Sequence, residues 1–272
     1  MLAVIIRSQK GIQTMTDRRN GRRFAVPANR RLTWDLLTFH REIPLCAHDR
    51  QMDLTAISTA RTECTQRISW PALFIKAYAL VAQEIPELRQ TWYVWPWAHV
   101  YQHATSVAAL TVHKELNGEP WLFWGLFRSP ELLGLQEIQS TIDQLQSQPA
   151  KLVFQNQWRL AHLPTFLRRL LWWWNLKIET RKRASRLGTY FVSTLSAQGV
   201  EIQLPPSVQT GCLTYGPLDQ QNVSRVTLAY DHRIMDGTLV ARVLKRLECV
   251  LNESLVTELK AVTQSTLTHR AA

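Results

Sequence analysis

At 272 residues, with 46% hydrophobic and 19% charged residues, the chain has a globular composition with room for a sizeable core, and it is not of the disordered class. A formal net charge of +11 favours anionic partners, among which nucleic acid, an acidic membrane surface and a phosphorylated cosubstrate are all eligible. Cys46, Cys64, Cys212 and Cys249 lie far apart with no C-x-x-C pair, which argues against a disulfide framework or zinc site and for a reducing, cytoplasmic setting.

No run is long enough to span a bilayer, and the apolar opening stops at Arg7, too short for a signal-peptide core. Residues 1–31 carry eight basic residues, including Arg18, Arg19, Arg22 and Arg23, against Asp17 alone. Without apolar periodicity after Ile6, this reads as a flexible basic extension. No aromatics interleave to stack bases, so a nucleic-acid arm is disfavoured. A short helix and then a strand into Asp53 are expected over 30–54. Ser69-Trp70-Pro71 supplies a cap and a first-turn proline, and Leu73, Phe74, Ala77, Leu80 and Val81 continue at helical spacing until Pro86. The stretch 92–97 is rich in Trp and Pro and is expected to be irregular. His99 and His103 sit four apart but have no third ligand nearby, so they read as structural or exposed and no metal is expected. Strands at 106–113 and 121–127 are joined across Asn117-Gly118, a strong hairpin signal. A helix over 130–145 follows, with Leu135, Ile138, Ile142 and Leu145 on one face.

Residues 151–187 hold nine basic residues against Glu179, mixed with Phe166, Leu167, Leu170, Leu171, Trp172, Trp173 and Trp174. Trp and Leu beside clustered Arg and Lys is the composition of a helix lying in a membrane interface, and 157–183 is the candidate for contact with an anionic surface. Packing of the tryptophans on the domain or in a subunit interface is the competing reading.

Strand-like runs at 188–195 and 208–215 flank the rigid turn Pro205-Pro206. A third, 223–230, ends in Tyr230-Asp231-His232-Arg233-Ile234-Met235-Asp236-Gly237, and a helix over 238–251 begins directly after it. A histidine at a strand end, held by a local turn, can act as a general base, because an unperturbed imidazole titrates near neutrality. Gly237 permits a close backbone approach or a positive φ. Residues 257–272 read as a polar tail that frays.

The pattern D-H-R-x-x-D-G resembles the active-site signature of the dihydrolipoamide acyltransferases, the catalytic cores of 2-oxoacid dehydrogenase complexes. Its H-x-x-x-D-G part also resembles chloramphenicol acetyltransferase. Pro86-Glu87-Leu88 and the strand Gly188-Thr189-Tyr190-Phe191-Val192-Ser193-Thr194-Leu195 are similar to further family elements in the same order. The resemblance spans about 30–256 and makes 32–256 the catalytic domain, with 151–187 as an insertion where the family has a short linker. It implies a chloramphenicol acetyltransferase-like two-layer α/β sandwich, a mixed sheet with helices on one side. It also implies a homotrimer in which His232 of one subunit faces Ser193 of the next, with acyl-coenzyme A as cosubstrate.

In that scheme His232 is the base and the Ser193 hydroxyl is the oxyanion donor. Asp236 is a structural partner of an arginine near the domain start, for which Arg31 is the first candidate and Arg30 the second. Asp231, Arg233 and Gly237 complete the motif without a chemical step. The sequence departs from the family in two ways. Ser193-Thr194-Leu195-Ser196 stands where the family has S-N-L-G, and neither a lipoyl domain with its modifiable lysine nor a subunit-binding domain is recognisable. The expected function is an acyltransferase that uses coenzyme A thioesters and a free or membrane-borne acceptor, peripheral at a membrane if the insertion docks there. The alternative is a non-catalytic trimeric scaffold or membrane-associated protein of the same fold.

Overall fold

In the computed structural model, which describes residues 22–271 and side chains through residue 264, the expected helix after the basic run is α1 (Ala28–His40). It starts inside the segment expected to be a flexible extension, whose first 21 residues lie outside the described ones. Strand β1 (Leu45–Asp53) and a short helix α2 (Thr55–Glu63) follow, and then α3 (Trp70–Glu84). Ser69 does not cap α3 through its side chain; its backbone N donates to Gln139 Oε1 at 2.8 Å, and Pro71 holds the first turn. The Trp/Pro stretch is irregular over 94–97 as expected, and the segments on either side of it, β2 (Gln90–Tyr93) and β3 (His99–Gln102), pair in a small antiparallel ribbon.

Strands β4 (Val107–Leu116) and β5 (Glu119–Arg128) form the expected hairpin. Asn117 and Gly118 both take positive φ, 56° and 76°, which matches the twist of the flanking strands. The next helix, α4 (Leu135–Ser147), begins later than the periodicity suggests, because Pro130 and Gly134 keep the chain in turns until the Glu137 carboxylate accepts from Gly134 N at 2.7 Å. The basic, Trp-rich region forms α5 (Ala150–Val153), α6 (Gln155–His162), α7 (Thr165–Lys177) and α8 (Arg183–Leu187). Strands β6 (Tyr190–Ser193), β7 (Gly211–Tyr215) and β8 (Val223–Asp231) complete the sheet, and α9 (Gly237–Asn252) returns across it.

The six-stranded sheet runs β1-β8-β7-β6-β4-β5, with parallel pairing at β7·β6 and β6·β4 and antiparallel pairing elsewhere. Alternate residues (Val226, Leu228 and Tyr230 on β8, Leu213 on β7, Tyr190 and Val192 on β6) enter one core with α3, α4 and α9. This is the expected mixed-sheet sandwich, with its main helical layer on one face. The terminal stretch expected to fray is instead a helix, α10 (Ser254–Ala271), whose Leu255 and Leu259 are fully buried in that core. Glu258 anchors it, accepting from Lys76 Nζ at 3.0 Å and Leu135 N at 2.9 Å. Two leucines four apart in a polar run are too sparse a pattern to reveal such a helix.

Helices α5–α8 close the β5 edge and lap onto the opposite face. Trp172 of α7 lies against Phe39 and Trp124, with ring centroids at 6.2 and 6.1 Å. The attachment centres on an ion pair with essentially no solvent access: Arg168 donates from Nε to Asp35 Oδ2 at 2.6 Å and from Nη2 to Oδ1 at 3.3 Å. Its Nη1 donates to Leu163 O at 2.9 Å, so the desolvated guanidinium is satisfied on several sides. Arg168→Ala should cost about 3–5 kcal/mol in chemical denaturation, because it strands a buried carboxylate. Asp35→Leu combined with Arg168→Leu should recover most of that loss; a loss under ~1 kcal/mol for the single variant would mean that the pair does not hold α7 in place.

Candidate active site

Strand β8 carries the histidine turn and is bonded on both sides. Asp231 lies opposite Leu45 of β1 and its N donates to Thr210 O at 2.9 Å, while His232 N reaches Pro44 O at 3.0 Å, one step past the regular ladder. The chain then reverses, with Ile234 N and Met235 N both donating to Asp231 O at 3.0 and 3.2 Å. Asp231 itself is buried and accepts from Arg233 N, Nε and Nη2 at 3.1, 2.8 and 2.6 Å. The two residues that the family pattern left without a chemical step are therefore a fork that fixes the turn. His232 is exposed, with its ring beside Tyr230 at 5.6 Å.

Asp236 has a different partner from the one expected. It is the N-cap of α9, accepting from Leu239 N at 2.8 Å. Arg31 is engaged elsewhere: its Nε and Nη1 donate to Val26 O and Ala161 O, both at 3.3 Å, so it braces α1 against α6. A carboxylate directly before a helix meets free backbone N–H groups nearby, and a local cap forms without any distant cation. Gly237 is needed for close approach, not for positive φ. A Cβ there would sit 3.3 Å from His48 Cε1.

His48 and Tyr230 are the residues that the sequence did not single out. The His48 ring stacks on Tyr230 with centroids 5.5 Å apart, and Tyr230 touches His232 on its other side. The Tyr230 hydroxyl is buried without a hydrogen-bond partner, and its pKa is raised by burial, with Cys46 and Asp236 adding to the shift. An aromatic two residues before a histidine on a strand is an ordinary core signal, and His48 becomes relevant only through the β1·β8 pairing.

Ser193, on β6, is buried and faces Thr214 of β7, which in turn faces Thr227 of β8. His232 lies five residues beyond Thr227. At ~3.3 Å per residue and ~4.8 Å between strands, Ser193, level with the middle of β8, and His232, just past its end, are roughly 19 Å apart in one chain. One chain does not bring the two together.

Beside the Asp231–Arg233 fork lies a cleft lined by Ile43, Trp92, Leu176, Lys177, Arg183 and Thr210, so α7 and α8 reach the histidine turn. Arg183 is buried there, donating to Leu176 O and Val208 O at 3.2 and 2.6 Å, and its guanidinium lies 5.5 Å from the Tyr93 ring centre. His103 is also buried, and desolvation first, then Arg183, lowers its pKa to about 4, so it is a neutral structural residue. Among the described residues no three or more His, Cys, Asp or Glu side chains cluster as a metal site requires, and the four cysteines are free.

No family model and no curated protein matches the sequence. The fold does match solved structures. A probable dihydrolipoamide acetyltransferase from Listeria monocytogenes superposes with a TM-score of 0.58 at 16% identity, covering 90% of this chain and 96% of that one. A truncated catalytic core of the 2-oxoacid dehydrogenase multienzyme complex from Thermoplasma acidophilum gives 0.61 at 13% identity, covering 86% and 99%. The dihydrolipoamide acetyltransferase of Azotobacter vinelandii, investigated for the roles of a serine, a histidine and an asparagine in its mechanism, gives 0.60 at 15% identity, covering 90% and 95%. The chain has the fold of these acyltransferase cores.

The two roles conceivable for Asp236 separate on substitution. Asp236→Asn keeps a capping oxygen and should leave stability nearly unchanged, whereas Asp236→Ala should lose about 1 kcal/mol. Equal losses for both variants in thermal or chemical denaturation would instead assign Asp236 to an ion pair.

Proposed function

We propose that the chain is an acyltransferase that moves an acyl group between coenzyme A and an acceptor bearing a thiol, hydroxyl or amine. The observation that carries this reading is the position of the D-H-R-x-x-D-G turn. It lies at the open end of a fully paired strand, on the fold of the dihydrolipoamide acyltransferase cores, with His232 exposed and its backbone pinned. The Azotobacter enzyme is studied for an asparagine four positions after its histidine, and Asp236 stands four positions after His232. In both, the side chain is one that can cap a helix.

In this mechanism His232 removes the acceptor's proton as the acceptor's heteroatom attacks the thioester carbonyl. The Ser193 hydroxyl donates to the resulting oxyanion. Collapse of the tetrahedral intermediate breaks the C–S bond, and the imidazolium returns its proton to the leaving coenzyme A thiolate. Because Ser193 and His232 of one chain lie roughly 19 Å apart, the working site is formed between two copies, His232 from one and Ser193 from the other, in a homotrimer. The Asp231–Arg233 fork and the Asp236 cap hold the base without touching the reacting atoms.

A panel of acyl-coenzyme A donors with a mixture of thiol, hydroxyl and amine acceptors, read by thiol release, tests the proposal. His232→Ala should lower turnover by about 10²–10⁴-fold, and Ser193→Ala by about 10²–10³-fold with donor binding largely kept. Thiol release that survives His232→Ala with every active donor would refute the assignment.

A further inference from the structure

Helix α7 is amphipathic in the reverse sense. Arg168 and Arg169 turn inward to Asp35, the second at 3.6 Å, and Trp172 and Leu176 pack beneath them. The outward face is apolar instead: Phe166, Leu167, Leu170, Leu171, Trp173 and Trp174 are between 37% and 71% exposed. Trp34 of α1, itself exposed, extends the patch and lies 4.8 Å below the Arg169 guanidinium. A contiguous apolar surface of this kind on a charged protein marks a contact site.

The charge around the patch selects its occupant. Arg181, Lys182 and Arg186 follow in sequence, with Glu179 the sole acid among them, while Lys177 is ion-paired with Glu42. A protein partner is normally met by a polar rim of both signs, whereas this rim carries a positive excess, on a chain of net charge +11. Tryptophan between an apolar face and cations suits the headgroup level of a bilayer. At ~1.5 Å per residue, α7 is about 20 Å long, short of the ~30 Å hydrocarbon core, so it would lie along a membrane and not across it. Among the described residues no helix is long and apolar enough to cross one.

We propose that the outer face of α7 docks this protein on an anionic lipid bilayer, with Phe166, Leu170, Trp173 and Trp174 entering the headgroup–acyl boundary and the following basic residues meeting lipid phosphates. The buried Asp35–Arg168 pair fixes the helix to the domain so that its apolar side faces outward. The inference does not depend on the acyl-transfer reading.

Co-sedimentation of the full chain with vesicles tests it, comparing phosphatidylcholine alone with phosphatidylcholine containing phosphatidylglycerol. Binding is expected to the anionic vesicles, to be weak on the neutral ones, and to fall as salt rises. Leu170→Asp with Trp173→Asp should reduce the bound fraction's partition coefficient at least about tenfold, with circular dichroism and oligomeric size unchanged. Arg181→Gln with Lys182→Gln, both far from the core, should reduce the preference for anionic vesicles by about tenfold or more. Absence of vesicle binding, or binding indifferent to both double variants, would overturn the proposal. A shift in oligomeric size for the aspartate variant without vesicle binding would overturn it too, by assigning the face to contact between subunits.

Discussion

The register of β8 is the constraint on which the candidate site depends. Bonded to β1 on one side and β7 on the other, this strand cannot slide without turning its core residues Val226, Leu228 and Tyr230 to the opposite face. That register sets where the chain leaves the sheet, and so where His232 emerges. Through β7 it also sets the level of Ser193, opposite the middle of β8. The separation of the two residues is thus a property of the sheet and does not depend on loop conformation. The turn adds local rigidity, because the Asp231 carboxylate holds three donors of Arg233 and Asp236 caps the helix that follows.

Helix α7 rests on a second buried interaction of a different kind. A guanidinium and a carboxylate with no access to water are expensive to desolvate, and their retention specifies one orientation of α7 more than it adds stability. That orientation places cations inside and tryptophans outside. It also carries Leu176, Lys177 and Arg183 to the cleft beside the histidine turn, so the Trp-rich helices and the candidate site share a wall.

What could be read from the sequence was local, and what could not was long-range. The histidine turn, the Asn117-Gly118 turn and α3 are each encoded by residues close together in the chain, and each forms where the pattern puts it. The Arg31–Asp236 pairing failed because a free carboxylate before a helix is captured by the adjacent N–H groups. Arg168 was hidden in a run of arginines that reads as solvated surface, since its partner lies 133 residues away. His48 likewise acquires its place only through β1·β8 pairing, and α10 through two leucines that fill a core defined by other elements. The composition of 157–183 suggested an interface, but only the fold shows that α7 turns its apolar face outward.

If His232 and Ser193 complete a site only across two copies of the chain, two defective variants should complement each other. His232→Ala and Ser193→Ala chains would be co-assembled in equal amounts and assayed for acyl-coenzyme A thiol release. Each alone should be nearly inactive, and the mixture should recover roughly a quarter of wild-type activity, the share of interfaces that inherit both intact residues. Mixed assemblies that form and stay inactive would contradict a site shared between copies.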